Sequence, residues 1–289
     1  VLSKNITLCG LFNRPYARKI RKNITTGVSM TYVIGVGNEK GGCGKTTTSY
    51  QLAVDLKLRG KSVVLIDNDP QKGAYRWKAG APDPSVTPSI ATMENPLTVD
   101  DIKVFGGVDY IIIDGPPGFG NDPRLRACHD YLNALTIQTA VPLTIRNEIR
   151  DKVRTIFGFD GTIAAKISAI MKLSDLMIIP TLASVQDLEP TVNLVRDMIA
   201  PYADRFGKPK YRVLVTDSDD RTKLFKEARD YLSFAKIHLF ETNIKHREIY
   251  RQAAASGFTV VENYTDPKAT EETKALTDEV LAICEGIRK

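Results

Sequence analysis

Short apolar runs alternate with stretches of helical spacing along most of this chain. The runs Tyr32-Val33-Ile34-Gly35-Val36, Ser62-Val63-Val64-Leu65-Ile66 and Tyr110-Ile111-Ile112-Ile113 are continuous, and Val and Ile dominate them. That pattern predicts parallel strands covered on both faces. Further runs at Leu176–Pro180, Arg212–Thr216, Ile237–Phe240 and Thr259–Val261 extend the series. Between them the spacing predicts a helix from about Thr46 to Arg59, a short one around Gln71 to Ala79 and a small one from Asp100 to Phe105. Asp219-Asp220 followed by Leu224, Phe225, Ala228, Tyr231 and Leu232 predicts a capped amphipathic helix. Strands alternating with helices imply an α/β fold, with a doubly wound, mostly parallel sheet flanked by helices.

The segment after the first run carries the chemistry. Asn38-Glu39-Lys40-Gly41-Gly42-Cys43-Gly44-Lys45-Thr46-Thr47-Thr48 stands between a strand and a helix. Gly41, Gly42 and Gly44 let backbone N–H groups approach a phosphate with no Cβ in the way. The helix beginning near Lys45 adds the positive end of its dipole. Lys45 is placed for β- and γ-phosphates, and Thr46 for a hydroxyl contact to Mg²⁺. The P-loop pattern G-x-x-x-x-G-K-[ST] is only partly met, because Glu39 stands at its first Gly.

Two more strands end in carboxylates. Ile66-Asp67-Asn68-Asp69-Pro70-Gln71 and Ile113-Asp114-Gly115-Pro116-Pro117 place Asp67, Asp69 and Asp114 where open α/β sheets bind ligands. Asp69 also has a plain structural reading, as the cap of a helix starting at Pro70.

With Lys40 included, the string K-G-G-x-G-K-T resembles the deviant Walker A motif of the ParA/MinD family. The resemblance implies a P-loop NTPase that binds ATP and Mg²⁺ through residues 40–47: Lys40, Gly41, Gly42, Cys43, Gly44, Lys45, Thr46 and Thr47. It further implies that Lys40 reaches across a homodimer to the partner's ATP. Asp69 matches the residue that orients the attacking water, Asp67 lies nearer the metal, and Asp114 holds the Mg²⁺ shell through water. Lys40, Lys45 and Asp69 are then the catalytic set of a slow, partner-stimulated ATP hydrolase. Trp77-Lys78-Ala79-Gly80 and the block from Glu241 to Glu262 are similar to small, ParF-like plasmid partition proteins. Membership of that group implies a cytoplasmic, nucleoid-associated ATPase that dimerises on ATP and binds DNA non-specifically. Its partner would be a ParB/ParG-like centromere-binding protein, and its task plasmid or chromosome partition.

Charge qualifies the DNA expectation. The net charge is +6, but residues 1–30 hold six basic residues and no acid, so the remainder is formally neutral. The basic arm, expected to be disordered, reads as a DNA-contacting tail, as a targeting segment, or as a stretch upstream of a start at Met30. Residues 31–289 form the single ATPase domain. Candidate DNA contacts are Arg221, Lys223, Lys245, Arg247 and Arg251, each of which equally suits an ordinary solvated face. Relative to the family, the chain also has an insertion near residues 121–161. Its helical patterns at Leu125–Leu135 and Ile145–Phe157 read as a lid, an interaction module or a tolerated surface insertion.

Cys9, Cys43, Cys128 and Cys284 are widely spaced with no CxxC, and the only histidines are His129, His238 and His246. These argue for a reducing compartment and against a metal cluster, and so against a nitrogenase-reductase-like carrier. A MinD-like membrane-cycling ATPase would need a basic amphipathic C-terminal helix. The tail instead carries Glu271, Glu272, Asp278, Glu279 and Glu285, and its Leu276, Val280, Ile283 and Ile287 suit packing on the domain. No membrane partner is therefore expected. ParA-like positioning of a different cargo, such as a protein organelle, stays open.

Overall fold

The computed structural model describes residues 6–7, 31–116, 162–262 and 266–287. Its strands are β1 (Ile6–Thr7), β2 (Tyr32–Val36), β3 (Val63–Asp67), β4 (Ser89–Met93), β5 (Tyr110–Asp114), β6 (Leu176–Thr181) and β7 (Lys210–Val215). They form one sheet in the order β1-β4-β3-β5-β2-β6-β7. β2 to β7 are all parallel, and β1 adds a short antiparallel pair at the β4 edge. The helices are α1 (Lys45–Leu58), α2 (Gly73–Ala79), α3 (Val99–Lys103), α4 (Thr162–Leu173), α5 (Val185–Leu194), α6 (Ala200–Phe206), α7 (Lys223–Phe234), α8 (Glu248–Ser256) and α9 (Pro267–Ile287). A π-helical turn, Val195–Ile199, joins α5 to α6.

The continuous apolar runs have the expected cause. Tyr32, Ile34 and Val36 of β2 face one core with Leu65, Ile112 and Ile178, under α1 and α9. Val33 faces a second core with Ile66, Ile113 and Ile179, under α4, α5 and α7. Both faces of the central strands are thus buried, so no polar alternation is tolerated. α4 comes very close to β2 at Gly35, where a Cβ would lie 2.6 Å from Ile170 Cγ2. The chain passes from β2 to β3 on one side and from β5 to β6 on the other, which opens a crevice at the carboxyl end of β2.

Several expectations are corrected. β4, Ser89-Ile90-Ala91-Thr92-Met93, adds a strand to those the apolar runs predict; it follows a Pro-rich stretch and is only weakly apolar. Ile237–Phe240 is not a strand; it touches the sheet through a single bridge between Val213 and Leu239. Thr259–Val261 is a turn whose Val260 and Val261 plug the first core, while the Val260 N–H donates to Gln51 Oε1. The cap of α7 is Thr222, whose hydroxyl accepts from the Phe225 N–H, and not the Asp219-Asp220 pair. The helical patterns at 125–135 and 145–157 lie outside the described residues.

The two sequence blocks that resemble partition proteins meet in space. Trp77 stacks on Tyr50 of α1 with ring centroids 4.7 Å apart, and its indole N–H donates to the Phe258 carbonyl at 2.9 Å. Gly257 sits at φ +79 against Gly80, whose carbonyl oxygen would be 1.9 Å from an added Cβ. Gly257→Ala is therefore expected to destabilise the fold by about 3 kcal/mol, through both backbone strain and overpacking. The urea midpoint reads this directly, and a wild-type midpoint would mean the approach is looser than described. α9 is fixed across α1 by Arg59, which bonds Asp55, Asp278 and the Lys274 carbonyl. Among the described residues no helix is long and apolar enough to cross a membrane.

Candidate functional site

The glycine loop leaves β2 at the crevice and is clamped from β6, α5 and the end of β7. Asn38 is fully buried; its Nδ2 donates to the Pro180 carbonyl at 2.7 Å and to Thr191 Oγ1 at 3.0 Å, and its Oδ1 accepts the Lys40 N–H. Thr216 Oγ1 donates to the Cys43 carbonyl at 2.9 Å. Gly42 and Gly44 have φ of 75 and 84, conformations that L side chains rarely adopt. Gly44 caps α1 without any side-chain hydrogen bond, and the first turn of α1 holds no acidic residue. That helix start therefore keeps N–H donors for an anion.

The two lysines of the loop diverge. Lys45 is buried, and its ammonium donates to the Lys40 carbonyl at 2.7 Å, beside the thiol of Cys43 at 3.9 Å. Cys43 Sγ shares the same carbonyl at 3.2 Å. Burial pushes the Cys43 thiol up, and the charge of Lys45 only partly opposes this. Lys40 turns the other way, toward α5, and its Nζ lies 3.1 Å from Asp187 Oδ1. This is an ion contact without hydrogen-bond alignment, since Asp187 Oδ1 has no hydrogen-bond partner. The other oxygen of Asp187 accepts the Ser184 hydroxyl. About a quarter of the Lys40 side chain is exposed (24%), against 8% for Asp187.

The carboxylates gather where β3 and β5 pair, with Asp67 and Asp114 directly opposite. Asp114 is fully buried and accepts Thr46 Oγ1 at 2.8 Å and Ser49 Oγ at 3.0 Å. Burial first, then the neighbouring charge of Asp67, push its carboxyl up to about 7, against the pull of the two hydroxyls. Burial likewise raises Asp67, whose two oxygens accept the N–H groups of Asp69 and Tyr75. Asp67 thus caps α2 from outside the helix. Asp69 does not cap a helix at Pro70: α2 starts at Gly73, and Asp69 Oδ1 accepts the Gln71 N–H at 2.8 Å in a local turn.

This donor and acceptor set fits a phosphate with its divalent cation. Uncapped N–H groups and a buried lysine suit the anion, and a cation would relieve the crowding of Asp114 and Asp67. Among the described residues no group of three or more His, Cys, Asp or Glu side chains could hold a metal by itself. Mg²⁺ in phosphate sites takes few protein ligands, so the hydroxyl of Thr46 with one carboxylate is sufficient.

The five DNA candidates do not form a bare basic stripe. Arg221 is held by Asp219, Lys223 by Glu227, and Lys245 by Asp220. Arg247 is clamped by Glu272 at 2.6 Å and is mostly buried, whereas Arg251 is exposed and near Glu248 and Asp217. Arg221, Lys245 and Arg247 line one groove together with Asp217 and Glu272.

Sequence reading assigned no role to Ser49, Asn38, Thr216, Asp187 or Lys166. Ser49 alone carried a usable signal, lying one helical turn after Lys45 on the same face as the site.

Comparison with known proteins agrees with this architecture. The profile of the CobQ/CobB/MinD/ParA nucleotide binding domain matches residues 34–260. The maintenance of carboxysome distribution protein A of Gloeobacter kilaueensis is 25% identical over 239 residues, covering 82% of this chain and 88% of that protein. The chromosome-partitioning ATPase Soj of Thermus thermophilus is 25% identical over 264 residues, covering 86% and 95%. The ATP complex of a Cyanothece McdA variant superposes with a TM-score of 0.57 at 16% identity, over 89% of this chain and 98% of that one. At that identity the likeness concerns the fold.

Proposed function

The chain belongs to the CobQ/CobB/MinD/ParA nucleotide-binding family, and we propose that it is a ParA-type ATPase that closes around ATP as a homodimer and positions a cargo. The observation that carries this reading is the divergence of the two loop lysines. Lys45 turns back into its own cradle, while Lys40 turns away from it to the buried carboxylate of Asp187 on α5. Only one of them is committed to the local phosphate, which leaves Lys40 for the nucleotide of a second copy.

In this reading the backbone of residues 41–47 and Lys45 hold the phosphates. Thr46 and Asp114 would hold Mg²⁺, which would supply charge neutralisation for phosphoryl transfer. Asp67 supports the metal corner by its charge and by placing Asp69, since both of its oxygens are taken by amides. Asp69 orients the attacking water.

The cargo is proposed to be a protein assembly carried over nucleoid DNA, with a partner that stimulates hydrolysis. A carboxysome-distribution relative across most of both chains favours this over plasmid partition, the first expectation from the sequence. Chromosome partition is the second reading, supported by the Soj relative. A membrane-cycling role has less support, because the apolar side of α9 is used up: Leu276, Val280 and Cys284 are buried in the first core. Retention on DNA should require ATP, fail with ADP or no nucleotide, and weaken steeply with salt. Retention independent of nucleotide, or binding to anionic vesicles instead, would contradict the DNA-carried cycle.

A further inference from the structure

Lys166 lies in α4, on the far side of the sheet from α1, and only 1% of it is exposed. Its ammonium donates to the Asn68 carbonyl at 2.9 Å. Asn68 stands between Asp67 and Asp69 and is itself fully buried. We infer that Lys166 is a positioning residue for Asp69: it fixes the peptide between Asn68 and Asp69 in the orientation that ATP hydrolysis requires. The inference rests on the ATPase reading above.

The peptide that leads into Asp69 is gripped at both ends. Its carbonyl accepts Lys166, and its N–H donates to Asp67 Oδ1 at 3.2 Å. One residue earlier, the Asn68 N–H donates to the Asp114 carbonyl at 3.0 Å. The Asn68 side chain adds bonds to the carbonyls of Met93 and Asn95 at 2.7 and 2.9 Å. The backbone up to Asp69 therefore has little rotational freedom, and the carboxylate of Asp69 emerges from a fixed base. A carboxylate that orients water acts through position more than through proton affinity, so this rigidity bears on rate.

A lysine is an expensive way to fill a core. Removing an ammonium from water is unfavourable unless fixed partners compensate it, and Met fills a similar volume without that penalty. Ile167, Ile170 and Met171 beside it already supply the packing of α4. What Lys166 adds is reach and charge. It carries a cation from α4 to the segment that follows β3 and holds Asp69.

The test compares the full chain with K166M, K166R and D69A. Binding of a fluorescent ATP analogue, ATP turnover and amide exchange of residues 68–72 are measured for each. A lysine with a merely structural role predicts that a folded K166M keeps wild-type turnover. The positioning role predicts a folded K166M whose ATP affinity stays within about threefold of wild type, whose kcat falls by about tenfold to a hundredfold, and whose exchange at 68–72 quickens about tenfold. K166R should recover part of the kcat. Wild-type turnover and exchange in K166M would overturn the inference. So would a loss of affinity equal to the loss of turnover, or the unfolding of both lysine variants, which would assign Lys166 to the core. If the wild-type chain binds ATP without hydrolysing it, the ATPase reading fails by itself, and the exchange comparison still decides whether Lys166 holds the loop.

Discussion

Replacing Lys40 by Ala is expected to abolish ATP-dependent dimerisation while leaving a folded chain that still binds ATP. The cradle does not depend on the Lys40 side chain. It is the Lys40 carbonyl that accepts Lys45 Nζ and Cys43 Sγ, and alanine keeps that carbonyl. Asp187 loses its cation, but it keeps the Ser184 hydroxyl and lies beside a partly exposed position that water can fill. The dimer, by contrast, depends on the ammonium. A charge-assisted bond to a phosphate contributes about 1.5–3 kcal/mol. Two-fold symmetry doubles each contact. Losing both costs about 3–6 kcal/mol, which lowers dimer affinity by about two to four powers of ten. Sedimentation with and without Mg-ATP measures this, and a K40A chain that dimerises like wild type would remove Lys40 from the interface.

The second large effect is expected at Asp69. Asp69→Ala should lower ATP turnover by about two to four powers of ten while preserving, or lengthening the life of, the ATP-bound dimer. The substitution is structurally mild. The Asp69 N–H keeps its bond to Asp67, and α2 keeps its cap through the Tyr75 N–H and Asp67. What is lost is the carboxylate itself, with its acceptor for the Gln71 N–H. Nothing in the phosphate cradle is touched, so nucleotide affinity should remain near wild type. Turnover and ATP-analogue affinity measured side by side separate the two quantities. A fall in affinity matching the fall in turnover would make Asp69 a binding residue.

Much of this site was legible because it is local. Residues 38–48 lie in one string, and Asp67, Asp69 and Asp114 each follow an apolar run that could only be a buried strand. What the sequence hid was long-range. Lys40 meets Asp187, Cys43 meets Thr216 across 173 positions, and Asn68 meets Lys166 across 98. No periodicity links such residues; only the strand order brings them together. The strand errors have a similar origin. Thr259–Val261 has strand-like residues because it plugs a core, and Ser89–Met93 looks weak yet pairs along β3, where residues 90–93 are buried. Asp219 has the residue type of a cap, but its carboxylate is taken by Arg221, and Thr222 does the capping.

The central claim is that the two lysines of one loop serve two different nucleotides. The most direct measurement is the solution mass of the full chain, and of K40A, with saturating Mg²⁺ and a non-hydrolysable ATP analogue. The expected result is twice the 32.0 kDa monomer mass for the wild-type chain and the monomer mass for K40A. A wild-type chain that stays monomeric with the analogue bound, or a K40A chain that pairs as readily, would contradict it.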